Sequence, residues 1–258
     1  MYVKKYRSNS LKGKLRVCRY LLDNPDTKRL VPNTVSFSNK NLTKMSEKYK
    51  SLYIKPDIGS QGIGIFKLIR VSTGYDLFSI QKKEQKRQHF SNLPSLFQYL
   101  AAHIQKKMII QQGISLAKTN GRPYDIRVMV QRKPKGAWTC TGLLVKVGRP
   151  KKIVTNHYQG GKVITMDTLL KQMGLSLDRR KARIRHLSDK GVTVSRVLSA
   201  KKSGMYEMGI DFAYDNHHRI WILEVNSNHP QFFPLKKVDL SAYKRIRSFA
   251  RSYGRFDD

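Results

Sequence analysis

Two stretches of the sequence combine residue types and spacings able to do chemistry. The first is Lys55-Pro56-Asp57-Ile58-Gly59-Ser60-Gln61-Gly62-Ile63-Gly64, three glycines between two strand-like runs with a lysine ending the first. Glycines let backbone amides close on phosphate oxygens without a Cβ in the way, and Lys55 sets a cation where a phosphate would lie. A Walker loop would need GK[ST] opening a helix, and a dinucleotide fingerprint would also run from strand into helix. This loop runs from strand into strand, which disfavours both. A protein kinase also places a glycine-rich loop between strands, but the order of glycines differs and no HRD or DFG sequence appears. The bland alternative is an ordinary glycine-rich hairpin.

The second stretch is acidic. Of 17 carboxylates in the chain, Glu207, Asp211, Asp215 and Glu224 fall between positions 207 and 224, where Arg219 is the only Lys or Arg. On adjacent antiparallel strands Asp211 and Glu224 can face each other, and Glu224 and Asn226 share one side because strand side chains alternate. Hard oxygen donors of this kind suit Mg²⁺, which takes a few carboxylates together with waters and phosphate oxygens. A solvated acidic edge strand is the alternative.

The elements that must position these groups are read from periodicity and turn chemistry. Segments 51–55 and 63–71 read as strands around the glycine loop, 42–49 as a short helical stretch, and 93–106 as a helix capped by Asn92. Segment 108–112 reads as a buried strand. Segments 124–132 and 137–147 make a hairpin through Lys133-Pro134-Lys135-Gly136, and 208–213 with 220–225 make a second around the turn 215–219. Segment 167–173 reads as a helix stopped by Gly174, and 240–253 as an amphipathic closing helix. Three divisions are expected: a short basic lead-in over 1–40, broken by Pro25 and Pro32, a small lobe over 41–113 and a large lobe over 114–258.

Composition bounds the partners. Lys and Arg number 51 in 258 residues, for a formal net charge of +34, a field that attracts polyanions whatever the fold. Two cysteines, Cys18 and Cys140, form neither a disulfide framework nor a zinc site. Positions 1–19 are basic without the apolar core of a signal peptide, and no apolar run is long enough to span a bilayer, so a soluble cytoplasmic protein is expected. The cluster Arg179, Arg180, Arg183 and Arg185 could take nucleic acid or an acidic polymer, though no nucleic-acid-binding motif accompanies it. His217, His218 and His229 lack the spacing of a transition-metal site, Trp138 and Trp221 read as sheet residues, and Asp125 either orients Arg127 or ends a strand.

From about Asn39 onward the chain resembles the ATP-grasp superfamily, carried in order by YIKPDIGSQGIGI, IIQQGI, YDIRVMVQ, TNHYQGG and GIDFAYDNHHRIWILEVNSNHP. Within it the sequence is similar to YheC/YheD-type spore-coat-associated proteins, and more distantly to ribosomal-modification glutamate ligases. The resemblance implies an α+β fold of two lobes whose antiparallel sheets sandwich a nucleotide, with the usual N-terminal domain ahead of the grasp core mostly absent. It implies ATP and Mg²⁺ as cofactors. Lys55 would contact the phosphates, Gly59, Ser60, Gln61, Gly62 and Gly64 would cover them as a lid, and Gln111, Gln112, Gly113 and Ile114 would form the adenine hinge. Asp211, Glu224 and Asn226 would hold the metal, Arg127 and Lys146 would act catalytically on the transferred phosphoryl group, and Asn156, Gly160 and Gly161 would lie beside the acceptor. An upstream lysine, Lys40 or Lys44, would also reach the nucleotide. The implied activity is ATP-dependent carboxylate–amine ligation through an acyl-phosphate, with an acidic peptide or polymer as a candidate substrate. The alternative is a non-catalytic spore-associated or polyanion-binding protein on the same scaffold. Four departures stand out: glutamine where the hinge often has glutamate, Lys146 where arginine is common, one extra residue between Ser227 and Pro230, and, the largest, the mostly absent N-terminal domain, which in the family often helps bind the carboxylate substrate.

Overall fold

A computed structural model describes residues 4–59, 62–81, 84–149, 153 and 160–256, so the expectations for Ser60, Gln61 and Asn156 lie outside the described residues. The chain opens with α1 (Lys14–Leu22), then β1 (Thr34–Ser36), α2 (Asn39–Lys48), β2 (Ser51–Pro56), β3 (Phe66–Val71), β4 (Gly74–Gln81), β5 (Glu84–Phe90), α3 (Leu93–His103) and β6 (Met108–Gln112). It continues through β7 (Lys118–Thr119), β8 (Arg122–Gln131), β9 (Thr139–Val147), β10 (Lys162–Ile164), α4 (Met166–Gln172), α5 (Leu177–Lys201), β11 (Glu207–Tyr214), β12 (Ile220–Asn226), α6 (Leu235–Val238) and α7 (Leu240–Arg251). Two antiparallel sheets result, in the orders β1-β6-β2-β3-β4-β5 and β10-β9-β8-β11-β12, with β7 beside β8.

In the first sheet, alternation sends Leu52 and Ile54 of β2 and Ile110 of β6 into a core with Leu42 and Met45 of α2 and Leu96 and Leu100 of α3. The residues between them, Tyr53, Lys55 and Gln111, therefore share the opposite face. In the second sheet Ile126, Val128 and Val130 of β8, Val145 of β9 and Ile210 of β11 pack against Leu187, Val194 and Leu198 of α5. That leaves Asp125 and Arg127, Lys146, and Asp211 on the other face, whose far end Met129 and Leu144 close under Phe232, Leu235, Tyr243 and Ile246. Each lobe thus buries one sheet face under helices and keeps the other for polar work.

α5, 25 residues long, was not expected from the pattern. Its buried stripe is Leu187, Gly191, Val194, Ser195 and Leu198, so two of five inward positions carry no hydrophobic signal. Gly191 is required there: a Cβ would fall 2.9 Å from Val128 Cγ1 and 3.0 Å from Val130 Cγ2. The expected lead-in likewise contributes an ordered helix, since Leu15, Val17, Cys18 and Leu21 of α1 are buried. A helix this short is held by its packing rather than by propensity. β3 begins at Phe66 rather than at 63, because Gly62 and Gly64 turn the chain with φ of 73° and 71°.

Candidate functional site

The polar faces of the two sheets meet through Lys55. Its Nζ donates to Gln111 Oε1 at 2.8 Å on its own sheet and to the Leu223 carbonyl at 3.3 Å on the other. The second contact depends on an irregularity in β12. Asp211 lies opposite Glu224 but Phe212 lies opposite Ile222, so Leu223 is the extra residue of a β-bulge. Gln111 Nε2 donates onward to Thr34 Oγ1, which fixes the amide with its carbonyl toward the lysine. Burial pushes the Lys55 ammonium below its ordinary pKa, and Glu224 opposes that shift.

Facing it is an alternating quartet. Arg127 holds Asp211 with two bonds, Nε to Oδ1 at 2.6 Å and Nη2 to Oδ2 at 2.9 Å. Lys146 Nζ lies 3.0 Å from Asp211 Oδ1 and 2.6 Å from Asp125 Oδ1. The register explains the grouping, because Asp211 pairs with Arg127 across β11 and β8, and Asp125 with Lys146 across β8 and β9. Burial disfavours the charges of Arg127, Lys146 and Asp211, yet the carboxylates lift the pKa values of Arg127 and Lys146, and the two cations hold the Asp211 carboxyl well below the usual range. Asp125 thus holds Lys146 at 2.6 Å, and its charge also acts on Arg127.

Glu224 sits beside Asp211 and carries Lys14, whose Nζ is 3.3 Å from Oε1. Lys14 also donates to the Gly59 carbonyl at 2.8 Å, and Asp57 accepts from the Leu15 amide at 2.8 Å. The start of α1 is thereby pinned to the glycine loop. Lys40 and Lys44 instead lie exposed on α2, the helix packed against the opposite face of the first sheet. Lys14, upstream of both, is the lysine whose contacts with Glu224 and the Gly59 carbonyl place it at this cleft. Only Gly13 ahead of it, at φ 92°, hints at a special position in the sequence.

Asn226 follows Glu224 by two residues, and its Oδ1 accepts the Asn228 amide at 3.2 Å. The donor set for a hard cation is therefore two carboxylates and an amide oxygen on neighbouring strands. It fits Mg²⁺ in chemistry, and lysine and arginine nitrogens at 2.6–3.3 Å from the two carboxylates stand where a cation is favoured. Among the described residues no group of three or more His, Cys, Asp or Glu side chains could hold a metal. The two other acids of the expected cluster are employed elsewhere. Asp215 Oδ1 accepts from the His217 and Arg219 amides, and Oδ2 from Trp221 Nε1 at 2.8 Å, closing the β11–β12 turn. Glu207 is fully buried, with Arg255 Nη1 at 2.6 Å, Tyr6 OH at 2.5 Å and Lys4 Nζ at 3.3 Å. His229 joins that network through Tyr6 and Arg255, at the other end of β12 from His217 and His218.

At the end of β6, Gln112 Oε1 accepts the Asn33 amide, the Gly113 amide donates to the Ser51 carbonyl at 2.8 Å, and Ile114 is half-buried. Gly160, at φ 86°, receives Arg149 Nε on its carbonyl, and Gly161 leads into β10, whose Val163 lies opposite Lys146.

Comparisons with known proteins give the fold and the family. A structure of the ATP-grasp ligase PsnB complexed with a minimal precursor superposes with a TM-score of 0.53 over 93% of this chain and 60% of that one, at 11% identity, a likeness of fold. The endospore coat-associated protein YheD of Bacillus subtilis (strain 168) is 30% identical over 219 residues, 83% of this chain and 48% of YheD. The endospore coat-associated protein YheC of the same organism is 23% identical over 201 residues, 76% of this chain and 54% of YheC. The chain spans about half the length of these curated relatives. No helix among the described residues is long and apolar enough to cross a membrane. With two antiparallel sheets facing across a cleft of paired charges, and the YheC/D-like ATP-grasp family matching residues 4–256, the chain belongs to that family.

Proposed function

We propose that this chain binds Mg-ATP between its two sheets and uses it to join a carboxylate to an amine. The observation that carries the reading is the convergence of Lys14, Lys55, Arg127 and Lys146 from two lobes on one cleft that also holds Asp211 and Glu224. Asp211, Glu224 and Asn226 would hold Mg²⁺, which would supply neutralisation of the phosphate charge. The cations of the chain bind the triphosphate and stabilise the charge that develops as the γ-phosphoryl group passes to the substrate carboxylate. An amine then displaces phosphate from the acyl-phosphate. Positioning and charge neutralisation suffice, so no nucleophilic side chain is called for. The glycine loop covers the phosphates, and the end of β6, from Gln111 to Ile114, receives the base.

Calorimetric titration with a non-hydrolysable ATP analogue and Mg²⁺ tests the site. Lys55→Met is expected to weaken binding by about tenfold or more, the cost of one charge-assisted hydrogen bond. Unchanged affinity would remove the cleft as the nucleotide site.

The substrate class we infer is an acidic peptide or polymer, supported by the net charge of +34. The basic cluster is smaller than its sequence, since Arg180 is bonded to Asp167 and Arg183 lies over the Tyr214 ring at 4.5 Å. Arg179 and Arg185 are exposed. Replacing both with Gln should weaken poly-glutamate binding and flatten its salt dependence, measured by fluorescence anisotropy at two ionic strengths. Binding unmoved at both strengths would exclude this helix face. The names of the Bacillus relatives support a place at the spore for this chain as well.

A further inference from the structure

Each carboxylate that could receive a divalent cation in the cleft already has a cation on it. Arg127 takes both oxygens of Asp211, Lys146 adds a contact at 3.0 Å, and Lys14 lies 3.3 Å from Glu224. Lys146 also has a second carboxylate, Asp125 at 2.6 Å, to retain it. The quartet Asp125, Arg127, Lys146 and Asp211 balances two charges against two, with side chains between 3% and 13% exposed. A dication entering alone would sit beside three cations it had stripped of their partners, in a region where burial weakens screening. A triphosphate changes that sum. Its anionic oxygens replace the carboxylates as partners for Arg127, Lys146 and Lys14, so the number of ion pairs is kept while the carboxylates come free for metal.

We propose that Arg127, Lys146 and Lys14 are resident counter-ions that lock the metal-binding carboxylates, and that nucleotide phosphates release the lock, so that metal enters only with the nucleotide. Asp125 is a positioning residue in this exchange, keeping Lys146 at the cleft when it leaves Asp211. Lys14 couples the exchange to the glycine loop, because the nitrogen that guards Glu224 also holds the Gly59 carbonyl. The proposal rests on the reading of the cleft as the nucleotide site, and goes beyond it in assigning an order and a barrier to metal entry.

The probe is Mn²⁺ added to the full chain, free Mn²⁺ being followed by electron paramagnetic resonance, with circular dichroism on each variant to confirm folding. Wild type is expected to show no saturable site with Mn²⁺ alone and one with the non-hydrolysable ATP analogue present. Lys14→Met, at the rim of the site, is expected to raise nucleotide-free Mn²⁺ affinity by about tenfold or more, 1.4 kcal/mol. Glu224→Gln added to Lys14→Met should abolish that gain. The double variant Lys146→Met/Asp125→Asn, which leaves Arg127 balanced on Asp211, should raise affinity less than Lys14→Met does, since one guard of Asp211 remains. Wild type binding Mn²⁺ alone as tightly as Lys14→Met would overturn the lock. Absence of analogue binding overturns the nucleotide reading and the exchange with it, whereas analogue binding with Mn²⁺ affinity unmoved in both variants overturns the lock alone.

Discussion

Arg255→Ala is expected to lower stability by about 3–5 kcal/mol, the range for breaking a buried ion pair from one side. For a chain of this size that corresponds to a fall in Tm of roughly 6–20 °C. The reason is the company Arg255 keeps. It is 1% exposed, it donates to Glu207 Oε2 at 2.6 Å and to the Pro230 carbonyl at 3.1 Å, and Glu207 has no solvent contact at all. Tyr253 OH at 3.1 Å, Tyr6 OH and Lys4 complete the shell, joining residues 4–6, the start of β11 and the loop after Asn226. Loss of the guanidinium leaves a buried carboxylate dependent on Lys4, whose own pKa burial depresses against the pull of Glu207. Thermal unfolding followed by circular dichroism measures the loss. A drop below about 1 kcal/mol, the level of an exposed pair, would mean that Lys4 with the Tyr6 and Tyr253 hydroxyls satisfies Glu207. Because His229 and the Asn228 loop hang from the same network, the variant should also weaken nucleotide binding before it unfolds, through displacement of Asn226.

Glu224→Gln is expected to reduce Mg²⁺-dependent binding of the ATP analogue by on the order of 10²-fold, at least the upper end of what losing an outer-shell partner costs. Binding without Mg²⁺ should change far less, since Gln keeps the shape and one oxygen while freeing Lys14 for phosphate. The two titrations, with and without metal, separate a ligand from a merely structural residue. Equal losses in both would assign Glu224 to phosphate-side packing and leave Asp211 as the sole charged ligand.

How far the sequence carries can be judged from these residues. The strand pairing of Asp211 with Glu224 followed from alternation and the 215–219 turn alone, and the register bears it out. The glycine loop was legible because it joins two strands. Glu207 misled, since proximity along the chain to Asp211 placed it with the acidic cluster, whereas its partners come from residues 4, 6 and 255. Contacts across such separations leave no local periodicity to read. Lys14 was missed for the same reason, and α5 because Gly191 and Ser195 occupy its inward stripe, where tight approach to β8 matters more than hydrophobicity.

The bulge at Leu223 has an evolutionary consequence. The bridge from the first lobe to the second ends on a peptide oxygen, which every amino acid supplies, so Lys55 is constrained in identity while position 223 is constrained only in backbone path. Drift at 223 among residues that keep the extra-residue geometry should leave the lobes joined. An insertion or deletion in β12 that removed the bulge would break the Lys55 bridge even with every charged side chain in place, leaving the contacts of Lys14 and Leu15 with the glycine loop to join the lobes.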